Sequence, residues 1–140
     1  MRAVRASGGS ARRESGVRDF RRALDPELPI DERFDPGFVD HDAVDGQPGG
    51  PEGLLWRAER FAAAFSAIER EIVDVVTTAQ RVVLVQTVSG THTGEWCGHA
   101  PTGRRFAVRA IEIAALQDGR TIGRWGSIDE LGILEQLGLR

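Results

Sequence analysis

Three long strand-forming segments dominate the second half of this 140-residue chain and constrain its fold more than any other feature. They cover residues 81–93, 104–116 and 121–128, and the first is dense in valine and threonine. Branched side chains of this kind are enriched in strands because they pack well on a pleated surface. Asp118-Gly119 is a typical hairpin turn pair between the last two segments. The pattern predicts consecutive strands joined by short turns.

The first half of the chain predicts helices instead. Residues 54–68 carry apolar side chains at helical spacing, namely Leu54, Leu55, Ala58, Phe61, Ala62, Phe65 and Ile68. Residues 18–24 predict a shorter helix that ends before Pro26, because the residue before proline avoids helical geometry. A strand is predicted at 71–78, and a short helix or tail at 129–139. Helices followed by a run of strands predict an α+β fold rather than alternating βαβ units.

Composition bounds the class of protein. Apolar residues make up 41% of the chain and charged residues 28%, as in ordinary globular domains. No apolar run reaches the roughly 18 residues of a membrane span, and the N-terminus lacks the apolar centre of a secretory signal. The single cysteine, Cys97, excludes an internal disulfide framework. We therefore expect one cytoplasmic domain with no membrane partner.

Charge is distributed unevenly along the chain. Residues 1–17 are rich in arginine, glycine and serine, and we expect a flexible basic leader followed by one domain over residues 18–140. The net charge of -3 gives no overall field suited to nucleic acid. No nucleic-acid partner is expected.

Several short phrases in the chain match one known family. They are Phe38-Val39-Asp40-His41-Asp42, Ser89-Gly90-Thr91-His92-Thr93-Gly94-Glu95, Trp125-Gly126-Ser127-Ile128-Asp129 and Leu134-Glu135-Gln136-Leu137-Gly138. Together they resemble the SnoaL-like polyketide cyclase (ester cyclase) family, a branch of the NTF2-like fold, over residues 38–138. The resemblance implies a curved mixed or antiparallel sheet with N-terminal helices that enclose an apolar pocket. It also implies a homodimer and catalysis without a metal or organic cofactor.

Asp129 is the first candidate for acid–base chemistry. Alternation along the last strand places Trp125, Ser127 and Asp129 on one face, so that Asp129 faces the pocket if Trp125 does. A carboxylate in an apolar pocket is a stronger base, because burial disfavours its charged form. The resemblance assigns the family's acid–base aspartate to Asp129. Asp is also a favoured helix N-cap, so a capping role for segment 130–136 remains the alternative.

Two further residues are candidates for the catalytic site. His41 is able to hydrogen-bond a substrate carbonyl in its neutral form, or is a structural histidine. Glu112 is a second carboxylate that would act beside Asp129, or would pair with an arginine across the sheet. The expected substrate contacts are Trp125, Ser127, Gln86 and Phe61.

The expected function is that of a small-molecule cyclase or isomerase acting on a flat, apolar carbonyl compound of the polyketide ester type. Enclosure in the pocket would orient the reacting carbons. Two alternatives remain open. One is a non-catalytic ligand-binding or dimerisation module, since one fold hosts many functions. The other is hydrolysis of an epoxide by activated water, with Arg124 or Gln86 as a polar partner of Asp129.

Overall fold

The computed structural model describes Arg18, Arg21, Arg22, Asp25 and residues 27–140. The elements, in chain order, are α1 (Ile30–Arg33), β1 (Phe34–Asp40), α2 (Pro51–Ala64), β2 (Phe65–Thr77), β3 (Arg81–His92), β4 (Arg105–Gln117), β5 (Arg120–Ile128) and α3 (Glu130–Gln136). The strands form a curved five-stranded sheet in the order β1-β5-β4-β3-β2. β1 runs parallel to β5 and the other neighbours are antiparallel, which confirms the mixed α+β prediction.

Strands β3, β4 and β5 begin and end within one residue of the predicted segments. The hairpin between β4 and β5 is also confirmed, because Asp118 and Gly119 both have positive φ, at 51° and 76°. The predicted leader lies outside the described residues. Of the predicted helix at 18–24, the structure describes Arg18, Arg21 and Arg22, and all three are helical.

Helix α2 ends earlier than its apolar spacing predicts. The backbone becomes extended at Phe65, with φ -128° and ψ 143°, and Phe65 pairs with His92 as the first residue of β2. The extension of the helix to Ile68 is therefore wrong. Phe65 is buried against Phe61, Phe106 and Trp96. A buried phenylalanine fits the apolar face of a helix as well as that of a strand, so apolar spacing did not show where the helix ends.

Strand β1 was not predicted, because Pro36 lies within it. An edge strand tolerates proline, since one side of its ladder needs no hydrogen-bond donor. The pairing of β1 with β5 also shifts register between Phe34 and Val39. Phe34 and Phe38 are buried, and their rings contact each other edge-to-face with centroids 5.1 Å apart. Val39, the next residue, is 49% exposed.

The two faces of the sheet differ in character. Burial alternates strictly along β3 from Val82 to His92, so even-numbered residues face inward toward the helices. At one end of the inner face a core forms under α2 and α3, from Ala64, Phe65, Val88, Phe106, Val108, Ala110, Ile133 and Leu137. Smaller clusters lie around Val75, Val82 and Leu84 and around Phe34 and Phe38. None of the helices among the described residues is long and apolar enough to cross a membrane.

Candidate active site

A cavity of about 300 Å³ lies between the inner face of the sheet and α2. Its apolar lining includes Phe34, Leu54, Ala58, Phe61, Ala110, Ala114 and Ile128, and its polar lining includes Arg57, Arg70, Gln86, Glu112, Thr121 and Arg124. A concave, mostly apolar site with a few polar groups is typical of small-molecule binding. The Thr121 hydroxyl is buried and has no hydrogen-bond partner among the described residues, so a ligand oxygen could accept from it.

Arg124 is the centre of the polar cluster in this cavity. Its Nε and Nη2 donate to Glu112 Oε1 at 3.1 and 2.7 Å, and its Nη1 donates to Asp40 Oδ1 at 3.0 Å. The planar guanidinium suits two carboxylates at once, because its N–H groups diverge in a fixed fork. The cluster ties β5 to β4 on one side and to β1 on the other.

Gly126 provides the space in which the Arg124 guanidinium lies. A Cβ atom at position 126 would collide with Arg124 Nη2 and would also lie 3.4 Å from Glu112 Cγ. Glu112 is directly opposite Gly126 in the β4–β5 pairing. The missing side chain therefore lets Arg124 fold back over its own strand and reach Glu112.

Asp40 lies behind Arg124 and is the most enclosed charge of the cluster, with 4% of its side chain exposed. Its Oδ2 accepts from Gln47 Nε2 at 2.9 Å and pairs with Arg57 Nη1 at 3.5 Å. Burial alone would raise the pKa of Asp40, but the hydrogen bond from Gln47 and the charge of Arg124 outweigh it and hold the pKa below 3.8. Burial likewise opposes the charge on Arg124, yet Glu112 and Asp40 raise its pKa.

Glu112 is the one carboxylate among the described residues that line the cavity. Its Oε1 takes both hydrogen bonds from Arg124, whereas Oε2 has a single long contact of 3.4 Å with Gln86 Nε2. Its side chain is 23% exposed. Glu112 therefore pairs with an arginine across the sheet, as the second interpretation expected, and it faces the cavity without Asp129 beside it. A catalytic role for Glu112 stays a prediction. Its second oxygen remains able to accept a proton from a ligand.

Asp129 lies at the start of α3 rather than in the cavity. It is exposed, its Oδ1 accepts from the Gly132 N–H at 2.8 Å, and it is the N-cap of the helix. The alternation along β5 is real, but its phase is the reverse of that assumed, because Gly126 and Ile128 pair with inward-facing Glu112 and Ala110. The geometry matches the capping alternative, and a catalytic role for Asp129 stays a prediction.

The cap gives the first testable expectation. Asp129→Ala should lower the free energy of unfolding by about 1 kcal/mol, because the Gly132 N–H loses its acceptor. Asp129→Asn should lower the free energy of unfolding far less, since asparagine is as good an N-cap residue as aspartate. Urea unfolding of the two variants beside the wild type measures both values. Equal stability of the alanine variant and the wild type would contradict the cap.

His41 and Trp125 lie together on the outer side of the sheet. Their rings stack in parallel at 4.3 Å, and the Arg81 guanidinium lies 5.0 Å from the Trp125 ring centre. His41 directly follows Asp40, the last residue of β1, and its stack on Trp125 places its ring on the outer side. His41 and Trp125 therefore do not line the cavity, and their predicted roles toward a substrate stay predictions.

The remaining predicted contacts do line the cavity: Gln86, Phe61 and Ser127, with Ser127 exposed at its rim. Sequence reasoning missed Asp40 as a site residue, and it weighed Arg124 only as a partner for epoxide chemistry. Gly126 was the signal that could have found the site, because a glycine two residues after an arginine lies on the same face of a strand and leaves room there for the arginine side chain. Among the described residues, no group of three His, Cys, Asp or Glu side chains is placed to hold a metal ion.

Comparisons with known proteins agree with this architecture. A family model described as SnoaL-like polyketide cyclase matches residues 16–137. TsrD from Streptomyces laurentii superposes with a TM-score of 0.76 at 26% identity, covering 96% of this chain and 100% of that one. IdmH from Streptomyces antibioticus, named as a candidate polyketide cyclase, gives 0.70 at 29% identity, covering 89% and 95%.

A SnoaL-like protein from Jannaschia sp. CCS1 shares the fold at 19% identity, with a TM-score of 0.76 over 96% of this chain and 99% of that one. These likenesses confirm the predicted NTF2-like fold. A search of curated proteins finds none that matches the chain.

Proposed function

Because the chain belongs to the SnoaL-like polyketide cyclase family, we propose that it closes or isomerises an apolar carbonyl compound in the cavity, with Glu112 as the acid–base group. Family membership supports the cyclase or isomerase class of reaction. One observation carries the choice of residue: Glu112 is the one carboxylate among the described lining residues, and its Oε2 is not held by Arg124.

The proposed reaction begins with proton transfer from carbon. Glu112 Oε2 removes a proton from a carbon next to a carbonyl, and the C–H electron pair forms an enolate. A carboxylate positioned beside the carbon serves as the general base for this kind of step. The enolate carbon then attacks a second carbonyl of the same molecule, forming a C–C bond. The new alkoxide takes the proton back from Glu112, so the reaction needs no cofactor.

Arg124 supplies the positive charge that an enolate oxygen requires. Three of the five N–H groups of a guanidinium are engaged with Glu112 and Asp40, which leaves two for a ligand. Those carboxylates hold Arg124 in place before substrate binds, so little reorganisation accompanies the build-up of charge. The Gln86 amide beside Glu112 is a second donor at the same place.

A direct test of the proposal uses an aryl compound whose β-keto ester side chain is positioned for aldol closure onto a ring ketone. Mass spectrometry after chromatography would follow the formation of the closed ring with the wild type and with Glu112→Gln. Ring closure that depends on Glu112 would support the proposal. Equal product formation by the two proteins would exclude Glu112 as the base.

We also propose that the protein forms a homodimer through the outer apolar face of the sheet, defined by Val76, Val83, Val85, Ile111 and Trp125. Val76 pairs with Val83, and Val85 with Ile111, so these side chains form continuous rows across the strands. Val76 is 52% exposed and Ile111 42% exposed. Contiguous exposed apolar surface of this kind marks an interaction site, and a two-fold axis would pair the face with itself.

Light scattering after size-exclusion chromatography measures this association. The wild type is expected to have the mass of two chains, and Ile111→Glu the mass of one, because the new charges would be buried in the interface. Leu131→Glu is the matched control, since Leu131 is 46% exposed on α3 and should remain dimeric. A monomeric wild type, or a dimeric Ile111→Glu variant, would contradict this interface.

A further inference from the structure

Arg70 gives the cavity a positive charge that no described carboxylate neutralises. Three arginines line the cavity. Arg57 and Arg124 are paired with Asp40 and Glu112, so two positive and two negative charges cancel within the polar cluster. Arg70 has no ion pair among the described residues. The surplus at the site is therefore one positive charge.

Arg70 lies where its guanidinium is able to contact a molecule bound in the cavity. Arg70 lies on β2 opposite Val88, which faces inward, and its guanidinium carbon is 5.9 Å from the ring centre of Phe61. Phe61 is a wall of the cavity. The neighbouring Glu71 lies opposite Thr87 on the outer face. Because Arg70 is exposed while still lining the cavity, its guanidinium lies at the opening.

The register of the sheet sets the distance from this charge to the acid–base group. Arg70 is in register with Val88, and Val88 with Val108, which is four residues from Glu112 along β4. Four residues of strand span about 13 Å, and the two strand spacings from β2 to β4 add about 10 Å across the sheet, so the Cα atoms of Arg70 and Glu112 are roughly 16 Å apart. A molecule that contacts both groups is therefore elongated, and its middle lies against the apolar wall.

We propose that the ligand of this cavity is an elongated, mostly apolar monoanion, whose carboxylate or similar anionic group binds Arg70 at the cavity opening. A guanidinium matches a planar carboxylate through two parallel hydrogen bonds. The neutral polar cluster leaves no second positive charge for a dianion. The placement of the reacting carbon at Glu112 rests on the proposed function, whereas recognition of the anion does not.

Two fluorescent probes that differ in one charged group test the inference. They are 1-anilinonaphthalene-8-sulfonate, a monoanion, and N-phenyl-1-naphthylamine, the same skeleton without the sulfonate. Arg70→Gln should weaken binding of the anion by about tenfold or more, because a charge-assisted hydrogen bond is lost. Binding of the neutral probe should stay within about twofold, since apolar contacts are unchanged. Fluorescence titration at low salt gives each dissociation constant.

Arg109→Gln is the matched control, since Arg109 is exposed on the outer face of β4, opposite Thr87. It should bind both probes as the wild type does. The inference would be overturned if Arg70→Gln weakened binding of both probes equally, or if it did not weaken binding of the anionic probe. The outcome is independent of Glu112, so loss of this inference would leave the proposed function standing, and the reverse also holds.

Discussion

Replacement of Glu112 by glutamine is expected to lower kcat for ring closure by about 10²–10⁴-fold, the usual contribution of a positioned general base. Glutamine keeps the shape of the side chain, and its carbonyl oxygen still accepts from Arg124. It cannot take a proton from carbon. KM should change little, because the apolar walls that bind the substrate are untouched. Initial rates with a β-keto ester substrate measure both constants.

Glu71→Gln is the matched control for this experiment. Glu71 is exposed on β2 and pairs with Thr87 on the outer face, so its loss should leave kcat unchanged. Circular dichroism of both variants confirms that the fold is retained. A Glu112→Gln protein that keeps most of the wild-type kcat would show that the proton goes to another group.

The largest expected effect on stability comes from Arg124→Met. This change removes the cation between two carboxylates, one of which, Asp40, has a side chain only 4% exposed. Breaking such a pair from one side costs about 3–5 kcal/mol, because an uncompensated buried charge remains. Urea unfolding at pH 7 measures the loss directly. A decrease in the free energy of unfolding below about 1 kcal/mol would contradict the conclusion that Arg124 stabilises the fold through its pairs with Asp40 and Glu112.

The same variant has an expected pH dependence. The pKa of Asp40 is held below 3.8 in the folded protein, so its stabilising contribution is present above pH 3.8 and is lost as pH falls through the lowered value. Arg124→Met removes one cause of that lowering. The difference in stability between wild type and variant should therefore narrow below pH 3.8. A difference that is constant with pH would exclude this linkage.

Gly126→Ala is expected to displace the Arg124 guanidinium while keeping its charge, so it distinguishes the effect of position from the effect of charge. The added methyl group would occupy the place of Nη2, which is the mobile end of a flexible side chain. The guanidinium should move aside while the protein stays folded, so the loss of stability should be smaller than for Arg124→Met. A crystal structure of the variant shows whether the Arg124–Glu112 pair has been lost.

Much of the sheet could be predicted from the sequence because its strands are local and dense in branched residues. Residues 81–93 have the composition of a strand, and Asp118-Gly119 has that of a hairpin turn. Strand β1 could not be predicted, since Pro36 argues against a strand unless the segment is known to lie at an edge. The end of α2 was missed because Phe65 is buried in helix and strand alike.

The site was predicted only in part, because local patterns do not show on which side of the sheet the helices pack. Alternation along β5 shows which residues share a face, but it does not show which face is inner. Trp125 was expected to contact the substrate, whereas its ring stacks with His41 on the outer side of the sheet. The Asp40–Arg124 pair joins residues 84 apart through the parallel pairing of β1 with β5. No local pattern encodes that contact.

The most direct test of the account is the ratio of kcat for Asp129→Asn to kcat for Glu112→Gln on one ring-closure substrate. Both changes remove a carboxylate and keep the side-chain size, and asparagine preserves the helix cap. If Glu112 is the base, Asp129→Asn should have a kcat close to that of the wild type, and the ratio should exceed about 100. An inactive Asp129→Asn beside an active Glu112→Gln would contradict it and would place the chemistry at the start of α3.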